Sequence, residues 1–306
     1  MNRLQIGNAV ITRVVEWVGE LSTADTLFPQ TPPSAWENHT DLVAPTFWNP
    51  KSNRCRLAIQ TWVVQVDGLT VVVDTGVGND RCRPQSPAFH RLRTNFLEAL
   101  DTAGIDRNGV DVVVNTHLHL DHVGWNTRWH NGIWTPTFPN ARYMVPAEDF
   151  RYFHPDNAAT MRPARTPDEQ TRFSGMRVVF EDSVQPIADA GQLTMWSSDH
   201  QISPSLLLRA AAGHTPGSSV LWLNTTAAVF IGDLMHSPLQ ILRPDDACAF
   251  DLDAATAAVT RRRVLTEAAQ RRALVIPAHY PGRGGARVDA DGEAFAPQDW
   301  PNLATL

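Results

Sequence analysis

Apolar positions along the chain cluster into short runs separated by polar turns, and the composition of each run predicts its element. "ITRVVEWV" from Ile11, "LAIQTWVVQV" from Leu57 and "LTVVVD" ending at Asp74 are rich in β-branched and aromatic residues, which predicts strands. Asp67-Gly68 between the last two predicts a hairpin turn. In "SPAFHRLRTNFLEALDTAG", Phe89, Leu92, Phe96 and Leu100 recur at helical spacing, with Gly104 as the stop. "VDVVVN" then predicts a short strand ending at Asn115. The second half repeats this style. "MRVVF", "LTMW", "SLLLRA", "SSVLWLN" and "AAVFIG" predict strands, an Ala-rich stretch over 253–272 predicts a long helix, and "ALVIPA" predicts the last strand.

Two β-rich segments, each closed by a helix, predict an α/β fold of two stacked mixed sheets covered by helices, within a single domain over residues 1–306. Two segments lack a period. Residues 28–50 hold five prolines together with Trp36, Phe47 and Trp48, and are expected to form an irregular loop whose aromatics line a substrate pocket. Residues 151–175 are polar and Pro-containing, as expected of a connection between halves with some helix.

A net charge of −6 argues against a nucleic-acid partner. The one basic run, Arg261-Arg262-Arg263, falls in the predicted long helix and reads as a solvated face. Three scattered cysteines, Cys55, Cys82 and Cys248, form no disulfide framework and fit a reducing compartment. No apolar run is long enough to span a bilayer, and the first residues show no signal peptide. A soluble, cytoplasmic protein with no membrane partner is the expectation, and a homodimer is compatible with it.

The chemistry concentrates in "NTHLHLDHVGWN", residues 115–126, which spends three of the chain's 11 histidines and a carboxylate within six positions. Crowded imidazoles disfavour one another's charge, whereas a metal ion wants neutral imidazoles and ionised carboxylates close together. In extended chain, residues two apart share a face, so His117 and His119 can converge on one ion; Asp121 and His122, at the following turn, can address a second. Further donors are then required at later strand ends. His214 follows "SLLLRA", Asp233 follows "AAVFIG", and His279 follows "ALVIPA". His39, His90, His130, His154 and His200 match no motif and read as structural.

The ordered set HxHxDH, GHTPGS, GD and AH resembles the metallo-β-lactamase superfamily over nearly the whole chain, from Ile11 to Pro281, and "VVVDTGVGN" around Asp74 resembles its early Asp-Thr-Gly turn. The resemblance implies an αβ/βα sandwich. It also implies one ion held by His117, His119 and His214, another by Asp121, His122 and His279, and Asp233 bridging them. Zinc is the expected metal, with Mn, Co or Fe acceptable to five histidines and two aspartates. Asp74 is expected to be a buried turn-former or a hydrogen-bond acceptor beside the ligands rather than a ligand.

A bridging Asp233, where the true β-lactamases carry Cys or Ser, points to the lactonase, glyoxalase II and phosphotriesterase-like branches. The implied reaction is opening of a lactone or cleavage of a carboxylic ester of a small molecule by a metal-bridging hydroxide, with Asp121 as proton acceptor. Phosphotriester or thioester hydrolysis is the alternative; a β-lactamase or an iron-dependent oxidoreductase stands further off. The lactonases carry tyrosine three residues after the bridging aspartate. Here that residue is His236, as in the methyl parathion hydrolase-like members, and it is the candidate donor to a developing oxyanion.

Overall fold

The structure, a computed structural model, describes residues 2–223 and 227–306, with nothing to add on the side chains of 158–160. Asn224, the last residue of the predicted strand "SSVLWLN", lies outside the described residues. The chain divides into two compact units: residues 11–16 with 59–197, and residues 1–10, 17–58 and 198–306. Mixed sheets with flanking helices make up the fold.

In the first unit, the strand Arg54–Val66 turns at Asp67 and Gly68, both at positive φ, and pairs antiparallel with Leu69–Val73. The sheet continues in parallel through Val112–Val114, Arg142–Pro146 and Leu193–Trp196. Val63, Val72, Val113 and Tyr143 pack with Phe96, Leu100 and Trp125 into a core on one face. That leaves the carboxyl ends of Leu69–Val73 and Val112–Val114 side by side, the position at which open α/β sheets present ligands.

Two expectations are corrected in this unit. The helix expected over residues 86–104 is confined to Phe96–Thr102, because Arg91 turns left-handed at φ 53 and stops any earlier start. "MRVVF" is not a strand but the end of the helix Pro167–Ser183. Met176, Val179 and Phe180 are buried at i, i+3 and i+4, and Thr166 caps the helix by accepting from the Glu169 amide. A further hairpin, Thr127–His130 with Ile133–Pro136 around Asn131-Gly132, was not expected.

The second unit holds a seven-stranded sheet in the order His200–Ser203, Leu206–Ala210, Ser219–Leu223, Ala228–Phe230, Leu274–Ile276, Ala286–Asp291 and Ala294–Pro297. Its parallel pair, Ala228–Phe230 with Leu274–Ile276, needs a crossover, which the helix Ala254–Arg271 supplies. That helix buries Val264, Leu265 and Ala268 against Val220, Trp222, Val229 and Val275. Its basic run is not a uniformly solvated face: Arg261 is fully buried, whereas Arg262 pairs with Asp245 near the surface.

Residues 28–50 are also more regular than expected. Short helices span Pro33–Asn38 and Thr40–Val43, and Trp48–Asn49 pairs with Arg54 and Cys55. A proline at the first helical turn costs no hydrogen bond, so Pro33 starts a helix rather than preventing one. Trp36, Phe47 and Trp48 lie in a core cluster with Phe28, Leu57 and Tyr280. Among the described residues, no helix is long and apolar enough to cross a membrane.

Candidate metal centre

In the first unit the histidine motif leaves the end of Val112–Val114, and Asp74 leaves the end of Leu69–Val73. The two turns are tied together: the Asp74 amide donates to Val114 O, and Thr75 N donates to His122 O, both at 2.8 Å. Asp74, at φ 54, accepts from Thr116 N at 2.7 Å, Thr116 Oγ1 at 2.8 Å and His122 Nδ1 at 2.9 Å. His117 and His122 are buried with ring centroids 3.9 Å apart, and His117 Nε2 lies 3.0 Å from His119 Nδ1. Asp121 is partly exposed, its Oδ1 3.9 Å from His122 Nε2.

In the second unit His214 follows Leu206–Ala210, Asp233 follows Ala228–Phe230, and His279 follows Leu274–Ile276. Asp233 is the hub. Its Oδ1 is 2.9 Å from His279 Nε2, and its Oδ2 is 3.4 Å from His214 Nε2 and 3.1 Å from His236 Nε2. Donor atoms of Asp233, His236 and His279 lie within 4.8 Å of one another.

The protonation of these rings tests whether the set fits a metal. His122 Nδ1 faces Asp74, His214 Nδ1 faces Asp251 at 3.0 Å, and His279 Nδ1 faces Ala58 O at 2.9 Å. A carboxylate or a carbonyl only accepts, so each Nδ1 carries a proton, and Nε2 of the neutral ring keeps a lone pair that a cation can take. The Nε2 lone pairs of His214 and His279 then point at the lone pairs of a buried carboxylate. That opposition is unfavourable between acceptors and favourable around a shared cation. Metal-binding histidines are held in this way, with the other ring nitrogen anchored. The His/Asp cluster fits a metal site.

The sequence-level reading missed Glu16 and Asp251. Glu16, buried on the strand Ala9–Thr23, accepts from Val77 N at 2.7 Å, Gly78 N at 3.1 Å and Trp125 Nε1 at 2.7 Å, so it braces the turn after Asp74. Burial pushes its carboxyl up to about 7 against these donors. A Cβ at Gly76 would come within 2.0 Å of the Glu16 carboxylate, at a φ of +58. Only glycine fits there. Asp251 is fully buried; burial opposes its charge, but the hydrogen bond from His214 and the Arg261 guanidinium hold it below the usual carboxylate range.

The aromatic residues 36, 47 and 48 stand apart from the donors in character. Trp36 packs on Phe28 and Trp48 with centroids 5.5 and 5.8 Å apart, and Phe47 packs on Tyr280 at 5.2 Å. Trp36 and Trp48 line a cavity of about 420 Å³ together with Asp25 and Glu37, while Phe47 and Trp300 line one of about 210 Å³.

Residues 56–279 match the sequence model of the metallo-β-lactamase superfamily, a span that contains every donor above. The chain belongs to that superfamily. No curated protein matches the chain. Solved structures agree on the metallo-β-lactamase fold. A hydrolase of the β-lactamase superfamily called AbOPH is 22% identical with a TM-score of 0.78, covering 98% of each chain. AidC, a dizinc quorum-quenching lactonase solved with a homoserine product, is 18% identical with a TM-score of 0.75, again covering 98% of each. A probable metal-dependent hydrolase from Staphylococcus aureus is 15% identical with a TM-score of 0.75, covering 98% of this chain and 99% of that one. As a member of the metallo-β-lactamase superfamily with these donors, the chain is a metal-dependent hydrolase.

Proposed function

We propose that this chain is a dinuclear hydrolase that opens lactones or cleaves carboxylic esters of small molecules with an apolar or aromatic portion. His117, His119 and His214 would hold one ion, Asp121, His122 and His279 would hold the other, and Asp233 would serve both. The observation that carries this reading is the anchoring of Nδ1 on His122, His214 and His279, which turns each Nε2 into a ligand. The lactonase AidC, a dizinc protein of the same fold, supports the substrate class. Zinc comes first among the candidate metals, ahead of Mn, Co and Fe. Free Cys55, Cys82 and Cys248 support a reducing, cytoplasmic compartment.

Two divalent ions supply Lewis acidity and make water acidic enough to ionise near neutral pH. Asp121, partly exposed, accepts the proton of the attacking water and returns it to the leaving alkoxide. Of the two roles open to His236, the 3.1 Å contact with Asp233 Oδ2 favours orienting that carboxylate over donating to an oxyanion. Hydrolysis rates measured in parallel on acyl lactones, aryl esters, thioesters, phosphotriesters and β-lactams test the proposal. Lactones or carboxylic esters should turn over fastest, with weak phosphotriester cleavage and little action on β-lactams. Faster turnover of a penicillin or a phosphotriester than of every lactone and ester would overturn it.

A further inference from the structure

Arg261 sits in the middle of the helix Ala254–Arg271 with no exposed surface, unlike the two arginines that follow it. A buried guanidinium must place its five N–H donors, and this one spends them on three different turns. Nε donates to Leu234 O at 2.7 Å. Nη1 donates to Pro244 O at 2.6 Å and Asp246 O at 3.2 Å. Nη2 lies 3.4 Å from Asp251 Oδ2.

Two of those contacts lead to the metal centre. Leu234 follows Asp233 directly, so the bond to its carbonyl fixes the Leu234–Met235 peptide, one residue past the proposed bridging carboxylate. Asp251 splits its oxygens. Oδ2 takes Arg261 and the Cys248 amide at 3.0 Å, and Oδ1 takes His214 Nδ1 at 3.0 Å. The backbone on either side repeats the tie, since Leu252 N donates to His214 O at 3.0 Å and Asp253 N to Gly213 O at 2.9 Å. His214 and Asp233 leave different strand ends more than one turn of sequence apart, and Arg261 is one group that reaches the support of both.

We infer that Arg261 is a positioning residue for the metal centre, acting through Asp251 on His214 and through Leu234 on Asp233. Its guanidinium holds Asp251 Oδ2 at 3.4 Å, which leaves Oδ1 facing His214 Nδ1 at 3.0 Å and so fixes the ring with Nε2 aimed away from Asp251. Its planar fork fixes where that carboxylate stands, which a lysine ammonium would not reproduce. The inference rests on the dinuclear reading above, so it is tested by metal binding rather than by turnover.

The test compares zinc affinity, by competition with a chromophoric chelator, for the wild type, Arg261→Met, Asp251→Asn and the double variant. Melting of each protein in excess chelator reports the fold separately. Arg261→Met should weaken zinc binding by ~10–100-fold. The double variant should bind zinc more tightly than the sum of the two single losses predicts, because one of the two routes from Arg261 runs through Asp251. Full additivity, or wild-type affinity in Arg261→Met, overturns the inference. Should Arg261→Met fail to fold, Arg261→Lys takes its place: it should bind zinc about tenfold more weakly, and unchanged affinity there is equally decisive. A wild type that binds fewer than two zinc ions refutes the dinuclear reading instead, so the two failures are distinct.

Discussion

Asp74 Oδ2 and His122 Nδ1 stand 2.9 Å apart at the ends of two adjacent parallel strands, one residue forming the floor under the other. The carboxylate also takes the amide and hydroxyl of Thr116, so the histidine motif starts from a point fixed by three donors. Replacing Asp74 by Asn keeps the shape and removes the charge. Zinc affinity should fall ~10–100-fold with the fold retained, as measured by chelator competition beside far-UV circular dichroism. Unchanged affinity would reduce Asp74 to a turn residue.

Two equivalents of transition metal per chain are expected from elemental analysis of protein purified without added metal or chelator, because seven donors exceed what one four-coordinate ion uses. Asp233→Ala should lower both occupancies together, since Asp233 stands against both His214 and His279. A stable value near one equivalent, unchanged on adding zinc or manganese, would argue for a mononuclear centre.

His236→Phe separates two roles for a ring that is buried and has Nδ1 without a hydrogen-bond partner among the described residues. If His236 orients Asp233, the variant should bind metal ~10–100-fold more weakly and regain activity in excess metal. A kcat lowered ~10²–10³-fold at full metal content would instead assign it the oxyanion-donor role.

Glu16 should leave a signature in stability against pH. Its ordinary pKa of 4.5 rises to about 7 through burial, so the folded protein retains a proton that the unfolded chain releases. The contribution is complete below the unfolded value and is lost as pH climbs from 4.5 to 7. In urea unfolding at fixed metal, the stability of the wild type relative to Glu16→Gln should drop by about 3 kcal/mol across that window. A difference that stays constant from pH 4 to 8 would mean a carboxyl whose pKa folding leaves unchanged.

The proposed ligands were legible because each belongs to a short motif closing an apolar run, and such runs announce a strand end on their own. Their supports were not. Glu16 is 61 residues from Val77, Asp251 is 37 from His214, and Arg261 is 27 from Leu234, and nothing local marks any of them. Arg261 was misread for a physical reason: in a helix, three consecutive arginines face three directions, and one of them faces inward. "MRVVF" misled through its paired valines, although Met176, Val179 and Phe180 already carried helical spacing. Asn131-Gly132, by contrast, was a hairpin signal present in the sequence and passed over.

Two turns at the metal centre are sewn by their backbone to a neighbouring strand end, Asp74 N to Val114 O and Ile231 N to Ile276 O. Main-chain bonds do not depend on which side chains fill the sheet. The aromatic segment from residue 28 to residue 50 answers to a different constraint, the shape of its own core. The turns that carry the proposed ligands and the aromatic segment therefore stand on separate supports, main-chain bonds in one case and side-chain packing in the other.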